Sequence, residues 1–190
     1  MQQRRWLILY GLTLSLFAWI WAAMPVMAIP DAFVDDALFV RNARLMLSGQ
    51  WLGSYNQITL AKGVGFPLWL ALLAAIGIPT LLGQALLYAG AALLVVRGLS
   101  RWIRSEAALF AIWLILLCNP ALYAVATMRI MREGFYTPSL LLIFGLILWW
   151  VRLSGGKPWA RLPLAGALGL SLGVFHLTRE ESVWILPFLL

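Results

Sequence analysis

Long apolar runs alternate with short polar breaks along the whole chain. Four runs stand out: Trp6 to Met27, Ala107 to Ala126, Phe135 to Val151 and Leu162 to Leu177. Each approaches the roughly 20 residues needed to cross a hydrocarbon core. A fifth run, Gly65 to Val96, is too long for one ordinary span and is punctuated by Pro67, Gly77, Pro79 and Gly83. It is apolar all round, so periodicity leaves one, two or three passes open. The pattern predicts an all-α fold: a polytopic transmembrane helical bundle forming one domain over residues 1–190, with an outer loop at 28–65. The N-terminus begins charged and ends in small residues, like a signal peptide, but its apolar run is long and Trp-rich and reads as an uncleaved first span. The final stretch, WILPFLL, reads as a span cut short, so the chain is expected to be the N-terminal part of a longer protein.

Composition sharpens this. Of the 190 residues, 63% are hydrophobic and 11% charged, and mean hydropathy is +0.91. Such a chain needs a bilayer as solvent. The single cysteine, Cys118, excludes an intrachain disulfide and says nothing of redox compartment. The net charge of +7 comes from basic residues set between apolar segments, which points to membrane topology and not to nucleic acid. They cluster as Arg4 and Arg5; Arg97, Arg101 and Arg104; and Arg152, Lys157 and Arg161. The positive-inside rule puts all three clusters in the cytoplasm if Gly65 to Val96 crosses an odd number of times. Asp31, Asp35, Asp36, Lys62, Arg129, Arg132, Glu133, Arg179, Glu180 and Glu181 then share the outer face, and Glu106 alone among the acids lies inside.

The first outer loop, IPDAFVDDALFVRNARLMLSG, reads as a helix start with Asp35 or Asp36 as its cap. Phe39, Val40, Ala43, Met46 and Leu47 fall on one arc of about 120°, as expected of a helix lying at the membrane surface. Gly49 is a natural C-terminal stop, and Trp51 and Tyr55 suit the interface. Capping and solvation account for an aspartate pair without any chemistry. The functional alternative is that two like charges at the edge of a low-dielectric slab raise a carboxylate toward the range of a useful base.

This loop resembles the first outer loop of GT-C-fold glycosyltransferases, the protein O-mannosyltransferase and aminoarabinose transferase relatives that use polyprenyl-phosphate sugars. Asp35, Asp36, Phe39, Ala43, Gly49 and Trp51 carry the resemblance. KGVGFPLWLALLAAIG is similar to the family's stretch leading into the second span, through Lys62, Gly65, Pro67 and Trp69, although the family's adjacent prolines are missing. REGFYTPSLLLIFGLIL matches at Glu133, and HLTREESVWILPFLL at Arg179.

The resemblance implies a sugar donor on a polyprenyl phosphate, entering from the lipid, and an acceptor met on the outer face. It implies Asp35 as the base that takes the acceptor hydroxyl proton, with inversion at the anomeric carbon. Asp36 would orient Asp35 or bind acceptor or metal. The leaving lipid phosphate calls for a preorganised cation, Arg179 first and Lys62 second, with Arg129 and Arg132 after them. The plain reading of each is headgroup anchoring or snorkelling. Glu133 is a candidate site residue that also suits a cap. His176, one turn before Arg179, is a candidate contact to donor or substrate, or simply structural. No spacing of His, Cys and carboxylates makes a strong metal site, so a divalent ion is left open and no other cofactor is expected.

Two other classes compete. A transporter or flippase holds ionisable groups near the bilayer midplane, whereas here the span interiors are almost free of charge and charge gathers at one face. A non-catalytic membrane subunit would need its aspartates only as caps. An oligosaccharide ligase or polymerase would share the fold with a different donor. No P-loop, dinucleotide fingerprint or Ser-His-Asp arrangement is present. A bacterial inner membrane, with a cytoplasmic N-terminus and the first large loop outside, is the expected location.

Overall fold

The computed structural model describes residues 2–27, 33–51, 53, 62–125, 127–153, 158–179, 183–185 and 187. Asp31, Tyr55, Lys157, Glu180 and Glu181 lie outside the described residues. Within them the chain is all-helical: α1 (Gln2–Ala23), α2 (Phe33–Leu47), α3 (Gly65–Ala75), α4 (Thr80–Leu99), α5 (Glu106–Leu117), α6 (Glu133–Arg152) and α7 (Leu162–Thr178). Four helices are long and apolar enough to cross a membrane: α1, α4, α6, and α5 with the 3₁₀ turn Pro120–Tyr123 that extends it. The sequence-predicted span at Leu162 appears as α7, a shorter apolar helix of 17 residues.

Side-chain contacts fix the relative directions of α1, α4, α5 and α6. Arg97 stands over the Tyr10 ring, 4.7 Å away, while Trp21 shares a small pocket with Gln84 and Ala85, so α1 runs antiparallel to α4. On α5, Phe110 meets Trp6, and Trp113 Nε1 donates to Thr13 Oγ1 at 2.9 Å; α5 therefore runs alongside α1 in the same direction. Gly134 lies against Gln84, Gly145 against Leu94, and Gly98 against Leu148, so α4 and α6 run parallel. Small residues at these positions let the two backbones approach.

The long run from Gly65 to Val96 travels from one end of the bundle to the other only once. Helix α3 spans about 16 Å, half a hydrocarbon core. It begins beside Thr178, stacks Trp69 on Phe135 near the start of α6, and ends where Leu73 packs on Gly83. A Schellman turn then reverses the chain: Gly77 takes φ +72°, its N–H donates to Ala74 O, and Ile78 N–H donates to Leu73 O. Pro79 precedes α4, which makes the crossing.

The two ends of the bundle differ in kind. One gathers Arg97, Arg101, Arg152 and Arg161, and the last three donate to carbonyls at helix C-termini. Arg152 Nη1 donates to Arg97 O at 2.7 Å, Arg101 Nη1 donates to Val151 O at 2.7 Å, and Arg161 Nε donates to Leu153 O. Guanidinium groups thus satisfy carbonyls that a helix end leaves open. Arg97 also pairs with Glu106. The opposite end carries α2, both ends of α3, and the mixed-charge segments described below.

Helix α2 differs from the sequence expectation in two respects. It starts at Phe33, upstream of the aspartates, so Asp35 and Asp36 lie in its first turn and not at its cap. Phe39 and Ala43 from its apolar arc are buried against Phe66, Leu70 and Ala71 of α3 and Phe135 of α6, while Leu47 remains exposed. The helix is docked onto the bundle through this face. Its end follows the expectation: Gly49 takes φ +76°, with Gly49 N–H bonded to Met46 O and Gln50 N–H to Leu45 O.

Candidate functional site

Neighbouring residues on a helix point about 100° apart, so Asp35 and Asp36 face different partners. Lys62 Nζ lies 3.1 Å from Asp35 Oδ2. Asp36 accepts from Arg129 through both oxygens, Nε to Oδ2 at 3.2 Å and Nη2 to Oδ1 at 3.0 Å. Burial separates the two pairs. The Arg129 side chain is 8% exposed, against 39% for Asp35. Both carboxylates sit where the positive end of the α2 dipole favours their charge.

Local structure delivers Arg129 to this position. Asn119 Oδ1 accepts from Ala121 N–H to start the turn after α5, and the Thr127 hydroxyl lies 2.8–2.9 Å from the carbonyls of Ala121, Leu122 and Ala124. Met27 N–H donates to Met128 O at 2.9 Å, which holds the exit of α1 beside the Arg129 segment.

Lys62 is placed by glycine. The Lys62-Gly63-Val64-Gly65 segment lies directly on the end of α7. A Cβ on Gly63 would sit 2.3 Å from Leu177 O, and one on Gly65 would sit 2.5 Å from Thr178 Oγ1. Neither site tolerates a side chain without moving backbone. The same end of α7 leads into Arg179, whose Nη1 is 3.8 Å from Glu133 Oε1 and whose guanidinium stands 5.5 Å from the Tyr136 ring centroid. Tyr136 in turn stacks on Phe175 at 4.3 Å, fixing α6 to α7 at this height. Glu133 is the first residue of α6, and so pairs with Arg179 without being the cap.

Asp35, Asp36, Lys62, Glu133 and Arg179, singled out from sequence, therefore gather at one end of the bundle. His176 sits on the exposed side of α7, whereas Phe175 and Thr178 form its buried side. Arg129 is the residue whose weight the sequence understated: it is a buried partner of Asp36 and not a headgroup anchor. The signal available was its position between two apolar runs, which snorkelling arginines share.

Beneath the ion pairs, aromatic contacts link the elements that carry them. Phe39 meets Phe66 edge-on at 5.0 Å, and Trp69 stacks on Phe135 at 5.0 Å. Beside them runs an apolar groove of about 250 Å³ between α3, α6 and α7. Gly65, Phe135 and Val174 line it, within five residues of Lys62, Glu133 and Arg179 respectively. Leu142 and Leu170 extend it away from the charged end. Among the described residues, no group of three or more His, Cys, Asp or Glu side chains is placed to hold a metal ion. No family model, curated protein or solved structure matches the chain.

Proposed function

We propose that this chain is an integral membrane glycosyltransferase that moves a sugar from a polyprenyl-phosphate donor to an acceptor on the outer face. The observation that carries the reading is the gathering of three ion pairs, Asp35–Lys62, Asp36–Arg129 and Glu133–Arg179, beside an apolar groove. A lipid phosphate needs both features together: cations for its head and an apolar channel for its chain. The positive-inside rule, applied to the arginine-rich end, supports an outer-face location for this site.

The chemistry follows from which pair is open. Asp36 is held by a two-pronged buried contact, so its role is to keep the first turn of α2 in place. Asp35 is more exposed and held by one flexible lysine. Donor phosphate arriving at Lys62 draws the ammonium away from Asp35, which frees a carboxylate lone pair to accept a proton. Asp35 then takes the proton from the acceptor hydroxyl as that oxygen attacks the anomeric carbon. The bond from anomeric carbon to phosphate oxygen breaks with inversion, and polyprenyl phosphate leaves with the electron pair. Lys62 and Arg179 stabilise the charge that grows on it. The resemblance noted in the sequence supports the same assignment.

The test is consumption of radiolabelled polyprenyl-phosphate sugars by full-length protein in liposomes. Cleavage of the sugar–phosphate bond supports the transferase. Movement of intact donor across the bilayer without cleavage replaces it with a flippase, a reading that the groove alone would also serve.

A further inference from the structure

A second polar site lies on the side of Glu133 away from Arg179. Gln84 on α4 is 4% exposed, and its Nε2 is buried without a hydrogen-bond partner. Glu133 Oε2, the oxygen farther from Arg179, is likewise buried and unpartnered. Trp21 stacks on Tyr123, and its buried Nε1 meets no acceptor in hydrogen-bonding geometry. All three residues, with Thr127 and Thr137, line one pocket of about 20 Å³. Gly134 makes room for it: a Cβ there would sit 2.6 Å from Gln84 Oε1.

The donor and acceptor inventory selects the occupant. Two atoms are N–H donors and one is a carboxylate oxygen. A cation would be repelled by the N–H groups and offered too few oxygens. An anion would be repelled by Glu133. An apolar filling would leave three buried polar atoms unpaired. A water both accepts and donates, buried waters typically make about three hydrogen bonds, and a volume above roughly 10–15 Å³ accommodates one.

We propose that this pocket binds one ordered water, which accepts from Gln84 Nε2 and Trp21 Nε1 and donates to Glu133 Oε2. The water ties α1, α4 and α6 together at the charged end. It also holds Glu133 with its other oxygen toward Arg179. Nothing in this assignment depends on the transferase reading.

The test is a cryo-electron microscopy or crystal structure of the full-length protein at a resolution that shows ordered waters. The expected result is one peak within hydrogen-bonding reach of Gln84 Nε2 and Glu133 Oε2, lost completely in Gln84→Met. A well-ordered pocket without a peak overturns the proposal. So does a Gln84 amide bonded directly to Glu133, or a peak with the close oxygen ligation of a cation. If Gln84→Met does not fold, the wild-type map alone decides.

Discussion

Arg129 reaches across 93 positions of sequence to hold Asp36 by both carboxylate oxygens. The contact joins the turn after α5 to the first turn of α2, and its guanidinium is almost fully buried. Removing one member of such a pair leaves an uncompensated charge, at a cost of about 3–5 kcal/mol. Arg129→Met is expected to fall near the lower end of that range, because the Asp36 side chain keeps 18% exposure. Arg129→Lys is expected to recover little, since an ammonium lacks the planar fork. Asp36→Leu in the Arg129→Met background is expected to recover much of the loss. Thermal unfolding in detergent measures all three.

The approach of Gly63 and Gly65 to α7 gives a second test. Gly65→Ala forces backbone apart and is expected to lower stability by about 1–3 kcal/mol, with donor consumption lost as Lys62 moves. Gly173→Ala, on the same α7 but with nothing within 4 Å of its Cβ position, is expected to be neutral or slightly stabilising. Equal destabilisation by both would remove the close-approach argument.

The sidedness is open to labelling. In a Cys118→Ser background, Gln50→Cys is expected to react with a membrane-impermeant maleimide in intact cells. Arg104→Cys is expected to react only after permeabilisation. Both residues are exposed at opposite ends of the bundle. The reverse pattern would place the ion pairs in the cytoplasm.

The groove predicts a kinetic signature. Ser171 lines it, and Ser171→Phe would fill part of the space without touching an ion pair. The expected effect is a raised KM for the lipid donor with kcat largely kept, the pattern of lost uniform binding. A fall in kcat alone would argue that the donor chain lies elsewhere.

Much of this was legible in the sequence, for identifiable reasons. Hydropathy marked the crossing segments because length and apolarity are what the bilayer selects. Gly77 and Pro79 marked the break between α3 and α4. The path of α3 was not legible, because a run that is apolar on every side does not reveal which way it points. The capping role expected of Asp35 and Asp36 failed on a boundary shift, as α2 begins at Phe33 and turns both carboxylates toward distant cations. Gln84 carries no sequence signal because one amide in an apolar helix has no pattern; only its burial beside Glu133 and Trp21 reveals it.

The proposed function makes Asp35 the base and Asp36 a structural partner. Donor turnover and thermal unfolding, measured together on Asp35→Asn and Asp36→Asn in the full-length protein, test it most directly. The Asp35–Lys62 pair is partly exposed, so Asp35→Asn is expected to cost only about 0–1 kcal/mol while abolishing turnover with donor binding retained. Asp36→Asn is expected to lose clearly more stability, because Arg129 keeps its charge in a buried site. Wild-type turnover by Asp35→Asn would contradict the account.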